Sequence, residues 1–199
     1  KRQVVDGDTV DLDIDLGFYM HAKIRCRLKG VNTPERGKPD FDKATWAFAN
    51  LMHENLDDEG YLYFTIGDRG NRNKNPQDIT RDAGKVYRIN DDGSIPESNP
   101  FFNNQGARKA VFSYGHRNPQ GMFKHPETGK IWTNEHGPRG GDEINIIKNP
   151  KKDEDPLKDR NYGWPKATYG INYSGSEITK NKKLEGVIDP FYYWTPSIA

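Results

Sequence analysis

Oxygen donors at two places in this chain have the spacing to hold a hard cation. Asn32-Thr33-Pro34-Glu35 sets an amide oxygen, a hydroxyl and a carboxylate close together, a donor set that suits Ca²⁺. Asp8 is a further candidate ligand. The alternation Asp8, Val10, Leu12, Ile14 puts its carboxylate on the apolar face of a strand, where a charge is costly without a cation or strong donors. The alternative is an aspartate that caps the Asp6-Gly7 turn. Arg27, on the outward face of the next strand with Arg25 and Lys29, is free to reach a phosphate, or is a plain surface arginine. Farther along, Glu135-His136-Gly137-Pro138 sets an imidazole beside a Gly-Pro segment whose carbonyls can face a metal, since proline offers an acceptor and no donor. His116-Arg117-Asn118 follows a strand and presents a cation and an amide, the means of gripping a planar polyanion by its carboxylates. The alternative there is an Arg117 paired with a neighbouring acid.

The elements that must position these groups are short strands. Asp8–Ile14 and Ala22–Lys29 alternate apolar and polar residues, and Asp42 caps a helix expected to run to about Asn55 with Phe48, Leu51 and Met52 on one face. Beyond Gly60 the pattern becomes strand and turn: Tyr61–Ile66, Lys85–Ile89, Ala110–Tyr114, Gly121–Phe123, Ile131–Thr133 and Glu143–Ile147. Asn90-Asp91-Asp92-Gly93 and Pro126-Glu127-Thr128-Gly129 read as turns joining neighbouring strands. Successive antiparallel strands with long loops on one rim suggest propeller blades, and a bare β-sandwich fits the pattern nearly as well. Asp11, Asp13 and Asp15 imitate a calcium loop, but its sixth position is Leu16 and its twelfth is Ala22, so a solvated strand face is the better reading.

Composition narrows the function classes. Of 199 residues, 13 are proline and 20 glycine, which fits an all-β chain with many tight turns and a thin core. A net charge of +1 supplies no long-range field for nucleic acid, so any such role rests on a local site. Cys26 is the sole cysteine, which leaves no disulfide framework within the chain and no cysteine-based zinc site. No stretch approaches the roughly 18 consecutive apolar residues of a membrane span, so no membrane partner is expected.

The first motifs, Asp-Gly-Asp-Thr-Val at 6–10 and Arg27-x-x-x-Val31-Asn32-Thr33-Pro34-Glu35, resemble the staphylococcal-nuclease family. The resemblance implies an OB-type barrel in which Asp8, Asn32 and Thr33 bind Ca²⁺, Arg27 contacts phosphate and Glu35 assists the attacking water on a nucleic-acid substrate. Asn32 stands where the best-known member of that family has aspartate, which removes a negative charge from that site. The barrel's later strands, with a second catalytic arginine, do not follow, so residues 1–58 read as an incomplete barrel with one helix.

From about residue 59 the ordered motifs resemble soluble PQQ-dependent aldose sugar dehydrogenases. They are Tyr63-Phe64-Thr65-Ile66-Gly67-Asp68, Ala83-Gly84-Lys85-Val86-Tyr87-Arg88, Gly115-His116-Arg117-Asn118-Pro119-Gln120-Gly121, Glu135-His136-Gly137-Pro138 and Asn161-Tyr162-Gly163-Trp164-Pro165. This resemblance implies a six-bladed propeller, of which residues 59–199 supply about two blades, with PQQ and Ca²⁺ as cofactors and an aldose sugar as substrate. Arg117 and Asn118 would bind PQQ, His136 would lie beside it, and the Gly137 and Pro138 carbonyls would ligate Ca²⁺. Asp68 would orient the catalytic histidine, yet neither His21 nor His53 sits in a matching motif and no general base is assigned. A periplasmic or secreted location would follow from that family. Two blades leave apolar faces and strand edges open, so self-association is expected. Three functions remain in contention: a sugar dehydrogenase segment, a Ca²⁺-dependent nuclease and an inactive chimera.

Overall fold

The computed structural model describes residues 2–6, 9–17, 20–27, 59–149 and 155–195. The chain divides into two compact units, Lys1–Leu62 with Ile89–Pro96, and Tyr63–Arg88 with Glu97–Ala199. Among the described residues every regular element is a strand, as the short alternating runs predict. The helix expected from Asp42 lies outside the described residues.

In the first unit, β1 (Arg2–Asp6), β2 (Thr9–Gly17) and β3 (Met20–Arg27) form an antiparallel three-stranded sheet in chain order. The register sets Val10, Leu12 and Ile14 opposite Cys26, Ile24 and Ala22, so the apolar alternations of the two strands coincide. The same register sets Asp11 against Arg25 and Asp13 against Lys23. β1 was not foreseen from the sequence, and closure into a barrel is not part of the described structure.

Two further open sheets are drawn mostly from the residues of the second unit. The first has the order β4–β5–β6, with β4 Tyr61–Ile66, β5 Lys85–Asn90 and β6 Val111–Tyr114. Its core is Tyr87, Phe101 and Val111, with Phe64, Ile66, Ile79 and Tyr114 packed against them, and Phe64 stacks on Tyr87 at 4.9 Å. Two guanidinium groups lie over the Phe112 ring, Arg88 at 4.6 Å and Arg160 at 5.0 Å from its centre. Fully buried Lys85 donates from Nζ to the carbonyls of Asn75, Pro76 and Ala83, which ties the loop after β4 to the sheet. Burial pushes its pKa down to about 8, against the opposing pull of Asp78 and Asp82.

The second sheet runs β10–β9–β8–β7, with β7 Pro119–Lys124, β8 Ile131–Glu135, β9 Asp142–Ile147 and β10 Tyr192–Trp194. The Pro126–Gly129 turn joins β7 to β8 as expected, closed by the His125 and Gly129 amides. Asn90–Gly93 also forms a hydrogen-bonded turn. It opens the long connection from β5 to β6, though, and is not a tight hairpin. That connection gains its place in the fold by burying Phe101, a role that turn chemistry alone does not reveal.

Candidate functional site

Two loops meet at one end of the second unit. The first leaves β6 at Gly115 and runs through Arg117 and Asn118 into β7; the second is the β8–β9 connection, Glu135 to Asp142. Gly115 has φ +78°, and a Cβ there would meet the Asn161 side-chain oxygen and come within 2.8 Å of the Gly163 nitrogen. Only glycine lets the first loop pass so close to the Asn161-Tyr162-Gly163-Trp164 segment. That segment is fastened to β6 by Tyr162 N–H to the Tyr114 carbonyl (2.8 Å) and Trp164 N–H to the Gly115 carbonyl (2.9 Å). At Gly137 a Cβ would fall 2.5 Å from the backbone of Gly141, so the second loop folds back on itself there.

The Arg117 side chain bridges the two loops. Its Nη1 donates to the carbonyls of His136 (2.6 Å) and Gly137 (2.7 Å), its guanidinium lies 5.4 Å from the Trp164 ring centre, and Nη2 is 3.4 Å from the Tyr173 hydroxyl. The expected alternative, an Arg117 guanidinium paired with an acid, is not what these contacts form. An acid does meet this residue, but at its backbone: Arg117 N–H donates to Glu135 Oε2 at 2.8 Å. Half-buried Arg117, with His136, Gly137, Glu143 and Trp164, lines a small pocket between the loops.

Asp68 reaches the same end of the unit. Its backbone N–H donates to the Arg117 carbonyl at 2.7 Å, Oδ1 accepts from Gly70 N–H, and Oδ2 accepts the Trp164 indole N–H at 2.8 Å. Asn118 is half-buried and accepts from the Gln120 amide through Oδ1. His136 is partly exposed, with Nδ1 3.9 Å from Asp142 Oδ2, and the other oxygen of Asp142 accepts the Gly137 N–H at 2.7 Å. Asp68, Arg117, Asn118, His136, Gly137 and Pro138 thus belong to one loop cluster, although they are scattered in sequence.

Sequence reasoning missed the polar layer that starts at the pocket wall, where Glu135 and Glu143 are both lining residues. β8–β9 pairing sets Glu135 directly opposite Glu143, and Asn145 follows Glu143 on the same strand face. Asn145 Nδ2 donates to both carboxyls, at 2.7 Å to Glu135 and 3.2 Å to Glu143. Burial and the facing Glu135 charge push the Glu143 pKa up to about 8, because two carboxylates placed so close resist joint ionisation. Burial works in the same direction on Glu135, but the His116 ring and hydrogen bonds from His116, the Arg117 amide and Asn145 outweigh it and hold this carboxyl below its usual range. The alternation of β9 was legible; the pairing of two acids across it needed the register.

The residues expected to serve phosphodiester chemistry are placed less fully. Arg27 ends β3 opposite Thr9. Asp8, Asn32, Thr33 and Glu35 lie outside the described residues. Among those described, no three His, Cys, Asp or Glu side chains are grouped to hold a metal ion, and no helix is long and apolar enough to cross a membrane.

Comparison with known proteins bears on both halves of the chain. A model of the Glucose / Sorbosone dehydrogenase family matches residues 40–199, starting inside the segment whose first motifs resemble a nuclease. The aldose sugar dehydrogenase YliI of Escherichia coli K12 is 47% identical over 146 residues, covering 72% of this chain and 37% of that protein. The crystal structure of the soluble aldose sugar dehydrogenase from Escherichia coli in its apo-form superposes with a TM-score of 0.63 at 45% identity, over 70% of this chain and 38% of that one. The PQQ-bound aldose sugar dehydrogenase of Streptomyces coelicolor superposes with a TM-score of 0.50 at 30% identity, over 70% of this chain and 34% of that one. The chain spans less than two-fifths of the length of each of these proteins.

Proposed function

The chain belongs to the Glucose / Sorbosone dehydrogenase family, and on that premise we propose that residues 59–199 carry part of the cofactor cradle of a PQQ-dependent aldose sugar dehydrogenase, as about two blades of its propeller. The observation that carries this reading is the Arg117 guanidinium, set at the pocket by two carbonyls and an indole ring. A polycarboxylate quinone fits such a site on chemical grounds. Arg117 offers a bidentate cation and Asn118 an amide donor, while Trp164 gives a flat apolar surface. The Gly137 carbonyl accepts from Arg117 through one lone pair, and its second lone pair, with the Pro138 carbonyl, would supply oxygens to Ca²⁺. PQQ, when bound, accepts the hydride from sugar C1.

The chain's own residues supply binding and orientation. Arg117 would hold the cofactor's carboxylates, Asn118 would fix its rotation, and His136 would border it. Asp68, its two oxygens held by Trp164 and the Gly70 amide, presents an oriented carboxylate with lone pairs to spare for a histidine that acts as general base. Among the described residues, no histidine is hydrogen-bonded to Asp68, and no general base is assigned. Reconstitution with PQQ and Ca²⁺, followed by aldose-dependent dye reduction, tests the activity. Quenching of tryptophan fluorescence by PQQ tests the cradle separately, and no quenching at all would end this reading. A chain that binds PQQ without turning over sugar would support the inactive-segment version of it.

A second reading concerns residues 1–58, separated from the first by a join near residue 58. The Thr9–Arg27 register brings the Thr-Val end of the first motif and the phosphate-contacting arginine to the same end of one sheet, which favours Ca²⁺-dependent phosphodiester hydrolysis with Asp8, Asn32 and Thr33 on the metal and Glu35 at the water. Single-stranded DNA digestion that survives Arg27→Ala would remove it. Self-association is proposed through the sheet edge at β10, where Phe191, Tyr192 and Tyr193 are exposed. A compact monomer in analytical ultracentrifugation would contradict that.

A further inference from the structure

From Glu135, which lines the pocket, runs a line of buried polar contacts that the cradle reading does not use. Ser113 Oγ lies 2.8 Å from His116 Nε2, and His116 Nδ1 lies 3.0 Å from Glu135 Oε1. Asn145 donates to that same oxygen at 2.7 Å, while Arg117 N–H donates to the other at 2.8 Å. Ser113 and His116 are wholly buried, Glu135 and Asn145 nearly so, and the Tyr162 ring stacks on His116 at 4.6 Å. One carboxylate therefore receives donors from the loop after β6 and from β9, and sits itself at the end of β8.

We propose that Glu135 is the positioning residue of the cradle: its side chain holds the Arg117 backbone while its own backbone leads into His136 and Gly137, whose carbonyls hold the Arg117 guanidinium. This rests on the reading of Arg117 as the group that grips an anionic quinone. Both ends of Arg117 are referred to one residue, so the arginine's distance from the carbonyl pair is fixed before any ligand arrives. The site demands a carboxylate and not an amide. Glutamine has one acceptor oxygen and one NH₂ donor. Turned one way, its NH₂ opposes the Arg117 N–H; turned the other, it opposes the Asn145 NH₂, which Glu143 holds in place. The chain also explains the burial of His116: its ring is wholly buried against Glu135 and Tyr162 and is not among the residues that line the pocket.

The test uses the 199-residue chain as wild type, Glu135→Gln, Arg117→Ala and the double variant. Amide hydrogen exchange at Arg117 is read by NMR, and PQQ binding by tryptophan quenching in the presence of Ca²⁺. Glu135→Gln is expected to speed Arg117 amide exchange at least about tenfold and to weaken PQQ binding about tenfold, the scale of one lost hydrogen bond to a charged group. In the Arg117→Ala background the same change is expected to cost no further affinity, because a residue acting through Arg117 has nothing left to position. Equal weakening with and without the Arg117 side chain, or unchanged Arg117 exchange, would overturn the proposal. If wild type fails to bind PQQ, the cofactor reading falls, and the exchange measurement alone then decides whether Glu135 holds the Arg117 backbone. Should Glu135→Gln not fold, Glu135→Asp keeps the charge but withdraws it by one methylene, and the same outcomes apply.

Discussion

Two layers of the same loop cluster are built on opposite terms. In the lower layer, Ser113, His116, Glu135 and Asn145 are buried and bonded to one another from three segments of chain. In the upper layer, Arg117, Asn118 and His136 are partly open and keep donors or lone pairs to spare. A buried polar group must be matched or it destabilises the fold, whereas a group at the pocket rim exchanges partners with water at little cost. The lower layer is therefore where stability is concentrated, and the upper layer is where a ligand can be met. Substitutions should separate the two.

The largest effect on unfolding is expected at the floor of the first loop. Gly115→Ala combines a left-handed backbone with a Cβ set against the Asn161 side chain and the Gly163 amide, neither of which can withdraw without releasing the segment from β6. A loss of about 4 kcal/mol or more is expected, read as a fall in the denaturant midpoint. His116→Ala comes next. It leaves a cavity under Tyr162 and removes one of the three donors to the buried Glu135 carboxylate, for a loss of about 3 kcal/mol. If either substitution proved neutral, the lower layer would not be the structural base assigned to it.

The Glu135–Glu143 pair gives a smaller effect that depends on pH. With its folded-state pKa raised to about 8 from the usual 4.5, Glu143 keeps its proton when folded at pH values where the unfolded chain has lost it. The folded state then binds more protons than the unfolded one, so this group's contribution to stability is full below about pH 4.5 and is lost as pH rises through about 8. Glu143→Gln retains an acceptor for Asn145 without titrating. It is expected to flatten the fall in stability across that window and to exceed wild type by about 1 kcal/mol at pH 8 and above. Chemical unfolding at a series of pH values checks it, and parallel curves for the two proteins would count against the shared-site account of these acids.

Much of this was legible in the sequence, and for identifiable reasons. Strand alternation and turn residues marked β2 to β9 to within a few residues, because tight loops of Gly, Pro and Asn bound each one. The motifs around Arg117 and His136 pointed to one cluster, and the fold brings them together. Three things were hidden. Tyr192–Trp194 is too short and too exposed to show periodicity, and it exists as a strand because β9 offers an edge. The Asp68–Trp164 bond joins residues far apart in sequence, and nothing local to either predicts it. Glu135 looked like part of a polar turn, since its burial depends on His116 and Asn145 arriving from other elements.

The smallest change in stability, and the sharpest contrast between the layers, is expected at Arg117 itself. Its guanidinium makes two short hydrogen bonds, which would suggest a large loss on removal. Yet both acceptors are backbone carbonyls at the pocket wall that water can reach once the side chain is gone, and the guanidinium is likewise restored to water in the unfolded chain. The backbone bond to Glu135 survives an alanine, so the loop stays anchored from below. Arg117→Ala is accordingly expected to shift unfolding by no more than about 0.5 kcal/mol while weakening PQQ binding about a hundredfold, still within reach of a titration. A thermal melt and a PQQ titration on the same sample decide it. A large loss of stability with binding retained would invert the assignment, making Arg117 part of the base and leaving the rim without its anion-binding group.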